Sequence, residues 1–216
     1  MRTWSEDHPK ARLLERKQEA IKEAARMLFL QHGYANTTME MVAEHAGVSI
    51  MTLYRHFRGK DVLFQAVIQR LCNQQAEKNV LEAFWDGKPA EILHKLGERR
   101  FIFFLDPEEI ALYRVIIGAL EHFPEVGQMY YHLSLEKIIE PLSSYLQKMD
   151  QQGLLHVPDP RFSARAFLGL LQGQLVERAR LGAEPAPTSE EIARHIDTCV
   201  AFFLAAHTVE HAHEGS

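Results

Sequence analysis

Apolar positions recur along this chain at the three- and four-residue spacing of helices, and no stretch shows the strict alternation of a half-buried strand. Ala20, Ile21, Ala24, Ala25, Leu28 and Phe29 fall on one stripe of a first helix, and Gly33 follows as its stop signal. Thr37 and Glu40 have the spacing of a capping box at the head of a short second helix containing Met41, Val42 and Ala43. Gly47 ends that helix, and Ser49 is placed to cap a third, which runs to about His56. A fourth begins near Lys60 and reaches about Phe84. Gly87 and Pro89 separate it from a fifth. Asp106 and Pro107 open a sixth, and Pro124 and Gly127 start a long seventh that Gly153 closes. Pro158-Asp159-Pro160 forms a rigid connector to an eighth helix over 162–181. A loop with Pro185 and Pro187 leads to a ninth over 190–209. The pattern predicts an all-α chain of about nine helices.

Residues 39–58 have the layout of a helix-turn-helix. Ala43 offers the small side chain that a close helix crossing requires. Gly47 stands four residues later, where the chain must turn sharply. Val42, Ala46, Val48 and Leu53 supply apolar contacts between the two helices. The third helix ends in Tyr54-Arg55-His56, hydrogen-bonding side chains suited to phosphates and base edges.

The stretch from Gly33 to Phe64, GYANTTMEMVAEHAGVSIMTLYRHFRGKDVLF, resembles the DNA-binding segment of the tetracycline-repressor (TetR) family of bacterial regulators. The matching features are Thr37-Thr38, Ala43, the Ala46-Gly47-Val48-Ser49 turn, Thr52-Leu53-Tyr54, His56-Phe57 and Lys60. The resemblance covers Ala20 to Ala66; beyond it the chain matches only in helical layout. It implies an N-terminal three-helix DNA-binding head, residues 1–60, and a C-terminal ligand-binding and dimerisation body, residues 61–216. Thr38, Tyr54, His56 and Lys60 are then expected on phosphates, and Ser49, Ile50, Met51, Thr52 and Arg55 at the major groove. The family often has Lys-Gly where this chain has Ile50-Met51; apolar side chains there suit thymine methyl groups. Phe57 reads as a core residue and Thr37 as a cap.

The family fold also implies a homodimer built on the last two long helices, so that two recognition helices meet an inverted-repeat operator in duplex DNA. Helix eight is rich in apolar residues (Ala166, Phe167, Leu168, Leu170, Leu171, Leu175, Val176), and Gly169 and Gly173 leave room for close approach. Helix nine adds Ile192, Ile196, Val200, Phe203 and Leu204. A small-molecule effector pocket is expected in the body. Phe101, Phe104, Tyr113, Ile117, Phe123, Met129, Tyr130 and Tyr131 are its candidate lining, an aromatic set suited to an apolar or aromatic compound. By family habit the regulator represses.

Charge supports a DNA-binding head. The net charge of −5 divides into +3 over residues 1–60 and −8 over the remainder, and no acid lies between Glu44 and Asp61. Lys10, Arg12, Arg16 and Lys17 make a basic N-terminal end, read as a solvated surface rather than a minor-groove arm. Cys72 and Cys199 have neither metal-like nor disulfide-like spacing, which suits a reducing compartment. The N-terminus lacks an apolar leader, and the longest apolar run, Cys199 to Ala206, is too short to cross a bilayer. A soluble cytoplasmic protein without a cofactor or membrane contact is expected. Four other readings fit parts of the sequence. His207 and His211, with Glu210, His213 and Glu214 nearby, have the spacing for a metal sensor; the thiols suggest a redox switch; an enzyme lacks any recognisable catalytic motif; a non-specific DNA packager would show no sequence preference.

Overall fold

The structure is a computed structural model that describes residues 9–78, 85–183 and 185–209, with side chains from residue 13 to 74 in the first of these spans. The helices are α1 (Pro9–Asn36), α2 (Met39–His45), α3 (Ile50–His56), α4 (Lys60–Lys78), α5 (Pro89–Phe104), α6 (Pro107–Ala119), α7 (Pro124–Tyr131), α8 (Lys137–Gln151), α9 (Pro160–Leu181) and α10 (Ser189–Ala206). A π-helical turn, His132–Glu136, joins α7 to α8 without a break. Counting that run as one, the described residues hold nine helical stretches and no strand, as the apolar spacing predicts. The continuation of the fourth helix toward Phe84 and the histidines beyond Val209 fall outside the described residues.

The chain packs as two compact units. One comprises residues 1–74 and 111–130, the other 75–110 and 131–216. In the first, Ile21, Ala24, Ala25, Leu28 and Phe29 of α1 are buried as the stripe requires, although Ala20 is exposed. They pack with Met39, Val42, Ala43, Leu53 and Phe57 of the next two helices and with Leu63, Phe64, Val67 and Ile68 of α4. The threonine pair divides its work differently from the expected capping box. Thr38, not Thr37, is the N-cap of α2, accepting from the Met41 amide at 3.2 Å. Thr37 is fully buried, and its hydroxyl lies 2.8 Å from the Gly33 carbonyl and 3.2 Å from that of Leu28. Both carbonyls belong to α1, which breaks at Gly33, and the buried hydroxyl donates to them.

In the second unit α8 packs on α9, and α5 and α9 both pack on α10. Asp106 caps α6 through the amides of Glu108 and Glu109, Asp159 caps α9 through that of Phe162, and Thr188 with Glu191 closes a full capping box on α10. Helix α9 is not straight. Gly173 sits at φ 36°, ψ −160°, and the His195 ring of α10 inserts at the break, its Nε2 3.1 Å from the Leu170 carbonyl and 3.2 Å from that of Leu171. A side chain at Gly173 would place Cβ 3.0 Å from that ring. Gly173 therefore serves a kink within the subunit, which corrects its reading as one half of a small-residue stripe. Most of the apolar residues assigned to a subunit interface are also internal: Phe167, Leu168, Leu171 and Val176 of α9 and Ile196, Val200 and Phe203 of α10 are buried in the unit's own core.

At Gly97 of α5 a Cβ would lie 2.7 Å from Ile196 Cγ2 of α10 and 3.4 Å from Leu171 Cδ2 of α9. Ile196 is branched at Cβ and buried, so it cannot swing away. Gly97→Val is expected to lower the unfolding free energy by about 1–3 kcal/mol in a urea titration, the usual cost of overpacking a filled core. An unchanged midpoint would show that the crossing has slack.

Candidate nucleic-acid interface

The head builds an exposed short helix on a fixed base. Ala43 is buried in α2, which packs on α3. Gly47 takes φ 64°, the left-handed conformation that favours glycine, and the turn is closed by Gly47 N–H to the Glu44 carbonyl at 3.1 Å and Val48 N–H to the Ala43 carbonyl at 3.0 Å. Ser49 then caps α3, its Oγ accepting from the Thr52 amide at 3.2 Å. Leu53 and Phe57 anchor the inner side of α3 in the core, which turns Met51, Tyr54 and Arg55 outward.

The nominated DNA-contact residues do not all stand ready in the same way. Thr38, Ser49, Met51, Tyr54 and Arg55 are exposed; Ile50, Thr52 and His56 are half-buried. The Ser49 and Thr52 hydroxyls lie 2.9 Å apart and are engaged with each other as well as with the cap. His56 Nε2 is buried without a hydrogen-bond partner. Burial holds the His56 ring below its ordinary pKa, and the positive charges of Arg55 and Lys17 add to the effect, so this imidazole is neutral at pH 7. Arg58, which the sequence reading did not nominate, is exposed beside Arg55 and His56.

Lys60 departs most from its expected role. Its ammonium donates to the carbonyls of Tyr34 (2.8 Å), Thr37 (3.0 Å) and Ala35 (3.3 Å), and lies 4.2 Å from the centre of the Tyr34 ring. An ammonium has three donors, and here three carbonyls take them. In this arrangement Lys60 clasps the chain between α1 and α2 rather than reaching out for a phosphate. Tyr34, which the sequence reading left without a role, is the hub of this corner. Its hydroxyl donates to the Asp61 carboxylate, and burial together with that bond pushes its pKa up to about 12. Its ring packs 4.9 Å from Phe64, 4.8 Å from Phe123 and 6.4 Å from Phe29, centre to centre. Only the adjacency of Tyr34 to Gly33 at a helix end hinted at this role, since a stripe analysis stops at the glycine.

The pocket candidates divide between the two packing units. Phe101 and Phe104 are buried in the second unit's core; Tyr113 and Tyr130 face each other in the first unit, and Phe123 belongs to the aromatic corner around Tyr34. Ile117 and Tyr131 are exposed and Met129 is half-buried. Phe101 lines a groove of about 450 Å³ with Ile102, Leu105, Ile192 and Ile196. The body also holds two buried charged residues that no stripe reveals, Arg100 and Glu109, with the Arg100 guanidinium 4.2 Å from the Phe104 ring centre.

Of the metal-sensor residues His207 is described and Glu210, His211, His213 and Glu214 lie outside the described residues; both cysteines of the redox reading are described. Both ring nitrogens of His207 are engaged, Nε2 with Ser163 Oγ at 2.9 Å and Nδ1 with the Phe203 carbonyl at 2.8 Å, so His207 is not presented to a metal. The described residues hold no cluster of three potential metal ligands. Cys72 and Cys199 are both buried, and burial raises the pKa of the Cys199 thiol, which disfavours the reactive thiolate.

A capped, exposed helix held at a fixed angle by a glycine turn defines a helix-turn-helix DNA-binding protein. The chain matches the model of the bacterial regulatory proteins of the tetR family over residues 21–67, and that of the AefR-like transcriptional repressor C-terminal domain over residues 91–209. It belongs to the TetR family of transcriptional regulators and is a DNA-binding protein rather than an enzyme. A TetR-family transcriptional regulator from Mesorhizobium loti is 30% identical, with a TM-score of 0.76 over 91% of this chain and 98% of that one. The flavonoid-responsive regulator FrrA is 29% identical, with a TM-score of 0.74 over 91% of this chain and 99% of its own. The HTH-type regulator YvkB of Bacillus subtilis is 25% identical over 169 residues, which span 75% of this chain and 82% of YvkB. No helix of the described residues is long and apolar enough to cross a membrane.

Proposed function

We propose that this chain is a cytoplasmic repressor that binds an inverted-repeat operator as a homodimer and is released by a small, largely apolar or aromatic effector. Residues 1–60 are the DNA-reading part in this proposal and residues 61–216 carry ligand binding and dimerisation. The observation that carries it is the outward face of α3, with Met51 79% and Tyr54 46% exposed above a helix whose Leu53 is fully buried. A segment that rigid and that bare is built to be covered by something else. Tyr54 and Thr38 are the phosphate contacts, together with His56, whose neutral ring contributes a hydrogen bond and no charge. Ser49, Ile50, Met51, Thr52 and Arg55 face the base edges. Lys60 contributes by holding the α1–α2 corner.

Support for the dimer comes from apolar surface left exposed on the last two helices. Phe162 (68% exposed) and Phe202 (65%) stand out from α9 and α10, with Gly169, Ala201 and Ala205 exposed on the same two helices. Apolar surface on the last two helices of a regulator is best accounted for by a second copy. A twofold pair would present two α3 helices about 34–36 Å apart, one turn of duplex DNA. FrrA is by its name flavonoid-responsive, and a flat aromatic effector is the reading carried here to this chain.

Release is a population shift: an effector that favours one arrangement of the body moves α4, and the operator favours the other. The start of α4 is well placed to pass such a shift on. Lys60 and Asp61 grip the α1–α2 corner, while Phe64 and Gln65 grip the start of α7, with Phe64 5.3 Å from Phe123 and Gln65 Nε2 donating to Glu125 at 2.7 Å.

The roles separate by mutation. After selection of bound sites from random duplexes, Tyr54→Ala is expected to weaken binding about equally to the selected and to unrelated sequences. Arg55→Ala is expected to relax preference at one base pair of each half-site by about 1–3 kcal/mol. Identical effects of the two variants on every sequence would contradict this division.

A further inference from the structure

Met51 is the most exposed large apolar side chain among the described residues. It stands in the first turn of α3, where its neighbours offer few free hydrogen-bond donors. The Ser49 hydroxyl caps the helix, the Thr52 hydroxyl is 2.9 Å from it, and Leu53 is buried. On the outward face Met51 is followed one turn later by Arg55, also exposed. The pair therefore presents one apolar, polarisable tip and one planar cation, about 6 Å apart along the helix axis.

The major groove displays a single apolar feature on its base edges, the 5-methyl group of thymine. We propose that Met51 is a specificity-determining residue that selects a thymine by burying its 5-methyl group, on the same face as the base that Arg55 reads. This rests on the operator-binding reading above and sharpens it to one side chain and one chemical group. With about 3.4 Å between successive base pairs, a one-turn separation on the helix spans one to two base pairs. The selected thymine then lies within about two base pairs of the position whose preference Arg55→Ala relaxes. Burial of the methyl also removes part of the apolar surface that the free protein leaves in water.

The test uses the full chain and the inverted-repeat duplex recovered by selection from random duplexes. That duplex is synthesised with deoxyuridine in place of thymidine, one symmetric pair of positions at a time, which removes only the methyl group. At one pair, within two base pairs of the Arg55-sensitive position, wild-type binding is expected to fall by about fourfold for each methyl lost. Met51→Ala is expected to bind the thymine duplex more weakly and to be indifferent to uracil at that pair. Because Met51 is exposed and alanine is a good helix former, the variant retains the fold; its circular dichroism and urea midpoint serve as the check. Uracil tolerated at every position by the wild type, or the same loss in Met51→Ala as in the wild type, would overturn the assignment while leaving operator binding intact. Selection that enriches no duplex would overturn the operator reading, and the assignment with it.

Discussion

Replacing Phe64 by alanine is expected to cost about 3–5 kcal/mol of unfolding free energy and to abolish DNA binding at temperatures where the parent chain is fully active. Phe64 is fully buried, and its ring meets three others, with centres 5.0 Å from Phe29, 4.9 Å from Tyr34 and 5.3 Å from Phe123. Truncation to alanine removes the whole ring and leaves a cavity that three packed aromatic neighbours close only in part. The site joins α1, α4 and the start of α7, so the loss loosens the support on which α2 and α3 stand. Urea unfolding followed by circular dichroism measures the change. A loss below about 1 kcal/mol would show that this corner collapses around the cavity and does not hold the head.

The second large effect separates two roles for Lys60. The family resemblance implies a phosphate contact, whereas the structure spends the ammonium on the carbonyls of Tyr34, Ala35 and Thr37. Lys60→Met keeps most of the stem and removes the charge. Three carbonyls at the α1–α2 corner then lose a charged donor, and stability is expected to fall by about 1–3 kcal/mol. The dependence of operator affinity on salt answers the other half of the question. A lysine that neutralises a phosphate contributes about 0.9 to the slope of log K against log salt, so removing one from each subunit of the dimer would flatten the slope by about 1.8. The clasp geometry predicts an unchanged slope with weaker binding at all salt concentrations. A flattened slope with unchanged stability would restore the phosphate contact.

Helix placement was legible in the sequence because its signals are local. The stripe from Ile21 to Phe29, the Gly47 turn, the Ser49 cap and the Asp106 cap each depend on residues within four positions of one another, and each appears where the spacing puts it. The exposed face of α3 was legible for the same reason. Long-range partners were not. Thr37 reads as a cap because it precedes Glu40 by three residues, yet its hydroxyl serves Gly33 and Leu28, on the preceding helix. The apolar faces of α9 and α10 look like an interface, but an apolar stripe is the same whether a helix from its own chain or from another covers it, and here α5 and α8 cover most of it. The aromatic residues read as one pocket divide between two packing units, because aromatic density in a sequence carries no direction. The break at Gly173 and the insertion of His195 depend on two helices at once and have no signature in either.

Operator recognition requires α3 to enter the major groove of a particular duplex. The most direct measurement is a titration of the full chain, at one fixed salt concentration, against the selected inverted repeat and against a scrambled duplex of the same length and composition. The predicted result is an affinity ratio of at least about 10³, in the range of sequence-specific readers. Equal affinities for the two duplexes would contradict it.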